Sequence, residues 1–296
     1  MPHTIIALGE ILWDVFPDGP RFGGAPANFA CSSAELGHEN AVVSMISAVG
    51  NDELGRRALD SLVTRGVRTD VVQINGYPTG RVDVEVDEAG VATYRFAENC
   101  AWDYLSWNRD LQQLASDCDA VCFGTLGQRG QQSLETIRSF VQATSESALR
   151  ILDVNIRRPF ISDELILSSL ELANVLKLND DELPVIGGLC DFSGSDLEIM
   201  QRIAERFGLR YVALTRGPRG AVILSSDTVT ELPGVSVDVV DTVGAGDAFT
   251  ASMTLGLLAG QQLEAINRNA IASSSYVCSQ QGATMAFPKE YRKTQI

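Results

Sequence analysis

The sequence predicts an α/β fold of three layers, in which a mostly parallel central sheet is flanked by helices and carries a small β lid. Two observations point there. Apolar strand-like runs alternate with helical periodicity from one end of the chain to the other, the pattern of a sheet covered on both faces. One stretch, from Asp70 to Phe96, instead alternates polar and apolar residues, as a hairpin with one solvated face does.

The core strands are expected at Thr4 to Leu8, Ala41 to Ala48, Ala120 to Phe123, Ile151 to Val154, Val175 to Leu178 and Tyr211 to Thr215. Most are too continuously apolar to have a wet face. Leu197, Met200, Ile203, Ala204 and Phe207 recur at helical spacing before Gly208 ends the pattern, which predicts a covering helix. The hairpin turns near Glu88-Ala89-Gly90, and with Trp13 to Phe22 it forms the lid. The expected organisation is a single domain over 1–296 whose lid takes about residues 13–22 and 70–105.

A formal charge of −15 on 296 residues would repel phosphate backbones and anionic membranes, which argues against nucleic-acid and membrane partners. The six cysteines lie in apolar stretches without CxxC pairing, as in a reduced cytoplasmic protein. Cys118 and Cys122 would suit a metal clip only on a helix, and the AVCF around Cys122 reads as a strand. No run reaches the roughly 18 apolar residues a membrane span needs, and MPHTIIALGE lacks an export signal.

The stretch DTVGAGDAFTASMTLGLLAG, Asp241 to Gly260, sends a glycine-rich turn straight into a long apolar helix. Gly244 and Gly246 let successive N–H groups point one way at the positive end of that helix, which suits an anion. Asp247 then places a second negative charge beside the anion. Taking a proton from an attacking hydroxyl would give that charge a use, whereas the plain alternative is a helix-capping aspartate. A P-loop is excluded, because none of Lys177, Lys289 and Lys293 follows a glycine. A dinucleotide fingerprint fits poorly, since the first strand ends in LGEILWD and its glycines arrive later. A second glycine turn, Thr215-Arg216-Gly217-Pro218-Arg219-Gly220, could hold phosphates and also reads as a connection between strands.

Near the other end, FGGAPANFA places Gly23, Gly24 and Asn28 at the start of a helix. Bare backbone lets a ligand approach, and an asparagine offers a hydroxyl both a donor and an acceptor. Asp14, just after the first strand, can accept two hydroxyl hydrogen bonds. Singly, each residue reads as a turn glycine, a cap or a surface acid.

Together, GGAPAN, GNDELG (Gly50 to Gly55), DVNIR (Asp153 to Arg157), NDDE (Asn179 to Glu182), TRGPRG and DTVGAGD occur in the order and spacing of the ribokinase-like (pfkB) carbohydrate kinases, which the chain resembles over nearly its whole length. That resemblance implies ATP and Mg2+ as cofactors and a small sugar as substrate. It implies Asp247 as catalytic base, with the Gly244, Ala245 and Gly246 backbone as anion hole. Asn179 and Glu182 resemble the pair that organises magnesium and phosphate. Thr215, Gly217 and Gly220 resemble nucleotide contacts, and Asp14, Gly23, Gly24 and Asn28 match sugar-holding positions. Asp241 and the turn at Gly282-Ala283 fall where relatives bind a monovalent cation such as K+. Val243 and Ser252 depart from the usual pattern without touching this chemistry.

Arg157 after DxN, and Trp102-Asp103 in NCAWD, are similar to fructokinase-type members. The resemblance therefore implies fructose phosphorylation and a homodimer paired through its lids. Alternatives are 2-keto-3-deoxygluconate or a ribose or nucleoside substrate, the last needing an aromatic slot from Tyr94, Phe96 and Trp102. A catalytically silent sugar sensor would have lost the acid or glycines of DTVGAGD, and both are intact. With only His3 and His38 and no GxSxG, triad hydrolysis and a zinc site fit poorly.

Overall fold

The computed structural model describes residues 1–86 and 92–293. Its strands are β1 (His3–Leu8), β2 (Leu12–Phe16), β3 (Gly19–Gly23), β4 (Ala41–Ile46), β5 (Ala48–Gly50), β6 (Gln73–Asn75), β7 (Gly80–Val86), β8 (Ala92–Phe96), β9 (Ala120–Phe123), β10 (Leu149–Asp153), β11 (Val175–Asn179), β12 (Tyr211–Thr215), β13 (Ala221–Ser225) and β14 (Val229–Leu232). Its helices are α1 (Ala25–Gly37), α2 (Glu53–Thr64), α3 (Arg109–Asp117), α4 (Gln131–Ala143), α5 (Asp163–Leu170), α6 (Glu182–Leu189), α7 (Asp196–Phe207), α8 (Ala245–Leu258), α9 (Leu263–Cys278) and α10 (Lys289–Lys293).

Eight strands form the main sheet in the order β14-β13-β12-β11-β10-β9-β1-β4. It is parallel from β4 to β12, and β13 and β14 add antiparallel at the far edge. Alternation along β1 shows why the strands are apolar throughout. Ile5 and Ala7 pack into one core, and Ile6 and Leu8 into the other. The first core is closed by Phe29 and Leu36 of α1, Leu62 of α2, Phe249 and Met253 of α8 and Ala270 of α9. The second takes Leu111 of α3, Phe140 of α4, Ile166 of α5, Ile186 of α6 and Met200 of α7. Two buried faces leave no place for a polar face, so the strands are nearly unbroken hydrophobic runs.

Local signals explain the element ends. Ser195 accepts the backbone N–H of Glu198 while the Glu198 carboxylate takes that of Ser195, so α7 opens with a capping box. Gly208 closes it at φ 63°. The expected strand Ala41 to Ala48 is two strands, because the chain breaks at Ser47: β4 pairs with β1, whereas β5 pairs with β6 in a separate two-stranded ladder. Periodicity could not show this, since both pieces are buried.

A second sheet, in the order β3-β2-β7-β8, stands apart from the main one. It takes Leu12 to Gly23 and the hairpin of β7 and β8 from the ranges expected for the lid. Residues 73–75 belong to the β5 ladder instead. Trp102 is 2% exposed and lies under the Arg129 guanidinium, which clamps the Asp103 carboxylate with two 2.8 Å bonds. The turn Ala101–Tyr104 is thereby packed on the body. The expected Glu88-Ala89-Gly90 turn and the Tyr94 side chain lie outside the described residues. Among the described residues no helix is long and apolar enough to cross a membrane, and all six cysteines are free.

Candidate active site

In open α/β sheets, ligands gather beyond the carboxyl ends of the parallel strands, and the sequence-derived residues collect there. β1 runs into Glu10, β10 ends in Asp153, β11 ends in Asn179, and β12 ends in Thr215. Asn179 and Thr215 are opposite one another in register. Helix α8 aims its amino end at the same edge. Its N-cap, Gly244, sits at φ 80°, which glycine tolerates, and an added Cβ would lie 2.7 Å from that of Ala283.

Asp247 lies in the first turn of α8 and is 8% exposed. It lines a cavity with Glu10, Asp153, Asn155, Cys122 and Thr125. Its Oδ2 accepts a 2.9 Å hydrogen bond from Asn28 Nδ2. Asn28, expected to touch a sugar, orients this carboxylate with its amide nitrogen, and its buried Oδ1 has no protein partner. Burial, then the neighbouring Asp153, push the Asp247 carboxyl up to about 7, against the pull of Asn28, Lys177 and Arg157.

Gly246 has a packing role beside the anion-hole role its motif suggests. It is helical, and an added Cβ there would lie 2.9 Å from the Lys177 ammonium, so the glycine makes room for a buried cation. The Ala245 N–H points to the Thr242 carbonyl at 3.3 Å, so this donor of the expected anion hole is engaged within the turn.

Toward the second sheet, Asp14 on β2 stands beside Gly23, where a Cβ would meet Asp14 Oδ2 at 3.0 Å. A Cβ at Gly24 would meet the Glu10 carbonyl oxygen at 2.7 Å. Burial raises the Asp14 carboxyl above its ordinary value, and the positive charges of Arg157 and Arg21 oppose the rise. Arg157 is exposed and acts on Asp14, Glu10 and Asp247 alike, so it overlooks the cleft that these carboxyls share.

Asn179 and Glu182 form a tight local structure. Asn179 Oδ1 accepts the N–H groups of Asp181 and Glu182, and Glu182 accepts those of Ile156 and Asn179 at 3.0 and 2.9 Å. The pair thus ties the DVNIR segment to the end of β11. Thr215 Oγ1 donates to the Leu178 carbonyl at 3.3 Å, and Gly217 and Gly220 sit at φ 53° and 88° in the connection to β13. Asp241 accepts the Val243 and Gly282 N–H groups, which brings together the two segments expected at a cation site.

Sequence reasoning missed Glu10, Asp153 and Lys177. Glu10 is 3% exposed, its Oε2 lacks a protein partner, and burial holds its carboxyl up at about 7. Lys177 interrupts the apolar run of β11, and Asp153 closes that of β10. A lone charge in a strand buried on both faces needs a partner, and that signal was present in VLKLN and RILD.

A stability prediction follows from the two raised carboxyls. In the folded protein the neutral form is favoured, so each contributes stability that is fully present below its ordinary value, 3.8 for Asp247 and 4.5 for Glu10. That contribution is lost as pH rises through about 7. Asp247→Asn and Glu10→Gln should therefore melt at a higher Tm than the parent at pH 8, with the gap closing toward pH 4. Calorimetric scans that show equal Tm values at pH 8 would contradict this assignment.

The sequence model of the pfkB family of carbohydrate kinases matches residues 19–290. A fructokinase of Klebsiella pneumoniae is 30% identical over 276 residues, covering 88% of this chain and 86% of its own. A Xylella fastidiosa fructokinase with bound ATP superposes at TM-score 0.83 and 22% identity, over 99% of this chain and 98% of that one. The Salmonella enterica aminoimidazole riboside kinase, complexed with aminoimidazole riboside and an ATP analogue, reaches TM-score 0.82 at 22% identity, over 99% of both chains.

Proposed function

Because the chain belongs to the pfkB family of carbohydrate kinases, and so is a phosphotransferase acting on a sugar, we propose that it phosphorylates fructose at the expense of ATP. The observation that carries this reading is the buried Asp247 at the amino end of α8, held by Asn28 and facing a cavity at the strand ends. The fructokinase relative and the ATP-bound structural neighbour support the choice of substrates.

In the transfer, a sugar hydroxyl oxygen forms a bond to the terminal phosphorus as the bond to the ADP oxygen breaks, and the hydroxyl proton passes to Asp247. A sugar hydroxyl is too weak an acid to be ionised beforehand, so proton transfer accompanies O–P bond formation. Asp14, Gly23 and Gly24 hold the sugar, and Asn28 keeps the base aligned. The amino end of α8, with the Gly244, Ala245 and Gly246 backbone in its first turn, and Arg157 neutralise charge on the moving phosphoryl group. Thr215, Gly217 and Gly220 border the nucleotide, and the exposed Val239, Val240 and Val243 offer an apolar surface for its base.

Asn179 and Glu182 fit a hydrated Mg2+ better than a directly bound one, since both Glu182 oxygens already accept backbone N–H groups; Mg2+ would offset phosphate charge there. Asp241 would hold K+ beside the 282 turn. The second sheet closes over the cleft as a lid and pairs with that of another copy, which a dimer mass by light scattering would bear out and a monomer mass would reject. The free cysteines suit a reducing cytoplasm.

Arg157 favours one alternative, 2-keto-3-deoxygluconate, whose carboxylate it could pair. The nucleoside reading loses an aromatic, because Trp102 is packed under Arg129. A coupled ADP-release assay over fructose, 2-keto-3-deoxygluconate, ribose and a nucleoside decides among them. Fructose should give the highest kcat/KM. Turnover of another sugar at least tenfold better would displace fructose, and sugar binding without ADP release would indicate a sensor. With the preferred sugar, kcat/KM should rise with pH about a midpoint near 7, where Asp247 ionises.

A further inference from the structure

Lys177 is one of only three lysines in the chain, and it is buried in the middle of the main sheet. Its Nζ donates to Asp153 Oδ1 at 3.0 Å, with both side chains less than a tenth exposed. Asn155 Nδ2 donates to the same oxygen at 3.0 Å. The Thr250 hydroxyl of α8 lies 2.8 Å from Asp153 Oδ2 and 3.0 Å from the Gly246 carbonyl, its one proton shared between them. The ammonium also occupies the space that a side chain at residue 246 would fill. One buried pair therefore touches β10, β11 and the first two turns of α8, directly behind Asp247.

We propose that Lys177 and Asp153 are positioning residues for phosphoryl transfer: the pair fixes the amino end of α8 against the strand ends and sets the field in which Asp247 takes up its proton. This rests on Asp247 being the base. The charged and titratable groups that face Asp247 are Asp153 from β10, Arg157 from the segment after it, Lys177 from β11, Glu10 from the segment after β1 and the Cys122 thiol from β9. Asn28 of α1 donates to it. Within this set the pair supplies opposite fields: Asp153 favours the protonated carboxyl, and Lys177 the ionised one.

The test therefore reads a sign. Asp153→Asn should move the acid limb of the kcat/KM profile down by about one pH unit, and Lys177→Met should move it up by about as much. In both, kcat should fall about tenfold or more, with KM for sugar and for ATP within about threefold of the parent, because both side chains are buried and committed to each other. Should Lys177→Met fail to fold, Asp153→Asn and the doubly neutral Asp153→Asn/Lys177→Met carry the measurement, the latter returning the limb close to the parent position. Carbon-13 carboxyl titration of Asp247, identified by its loss in Asp247→Asn, reads the same shifts without turnover. A folded Asp153→Asn whose Asp247 titration stays put or moves up overturns the proposal, even if Tm falls. An Asp247→Asn enzyme that keeps its kcat instead removes the base assignment, and the carboxyl titration still reports on the pair.

Discussion

Asp247→Asn should lower kcat by about 10²–10⁴-fold, the range for losing a positioned general base, while ATP affinity stays within a few-fold. The substitution keeps the shape of a side chain that is nearly buried and bonded to Asn28. What it removes is the capacity to take a proton. An asparagine oxygen can still accept the Asn28 N–H, so folding should survive and the loss should fall on kcat alone. A second consequence has the opposite sign. Without a carboxyl to ionise inside the core, the variant should be more stable than the parent at pH 8, as argued above. Lower activity together with higher Tm is the signature of a residue kept for chemistry at the expense of stability. A variant with near-parental kcat would end the base assignment, and one that fails to fold would make Asp247 a structural cap.

Gly244→Ala should damage the turn that carries Asp247. The residue sits at φ 80°, and its new Cβ would lie 2.7 Å from the Ala283 Cβ and 2.9 Å from the Ala283 Cα. Backbone strain of this kind costs about 1–3 kcal/mol, and the clash must be relieved by moving either the 283 turn or the end of α8. Since Asp247 lies three residues on, such a shift should also lower kcat by at least about tenfold. Gly260→Ala is the matched control. It shares the left-handed conformation at φ 65°, but nothing lies within 4 Å of its Cβ. It should cost about 1–2 kcal/mol from conformation alone and leave kcat unchanged. Equal effects of the two substitutions on kcat would show that the contact with Ala283 does not hold the catalytic turn.

Much of this molecule is legible in its sequence. The apolar strands at 4–8, 120–123 and 211–215 match β1, β9 and β12 closely, because burial on both faces demands unbroken hydrophobic runs. The capped helix ending at Gly208 was readable because caps are chemistry within a few residues. The alternating stretch after Asp70 yielded a true hairpin in β7 and β8. The strand that stopped at Ser47 was not readable, since the residues on either side of the break are buried alike and differ in which strand they pair with.

The site divides along the same line. DTVGAGD announced a glycine turn, a helix and an acid at its start, all of them features of a few consecutive residues. The hydrogen-bond partner of that acid, Asn28, is 219 positions distant, and its neighbour Asp153 is tied to Thr250 of α8 across 97. Local pattern thus determined the class of fold, most of the core strands and the glycine turn that opens α8 with an acid. The assembled sheet alone decided that Gly246 clears space for Lys177, that Asn28 serves the acid, and that Glu10 joins it in one cavity. The physical reason is range: dihedral preference and hydrophobic periodicity act over a few residues, whereas burial, charge pairing and proton affinity depend on neighbours that only folding brings within a few ångströms.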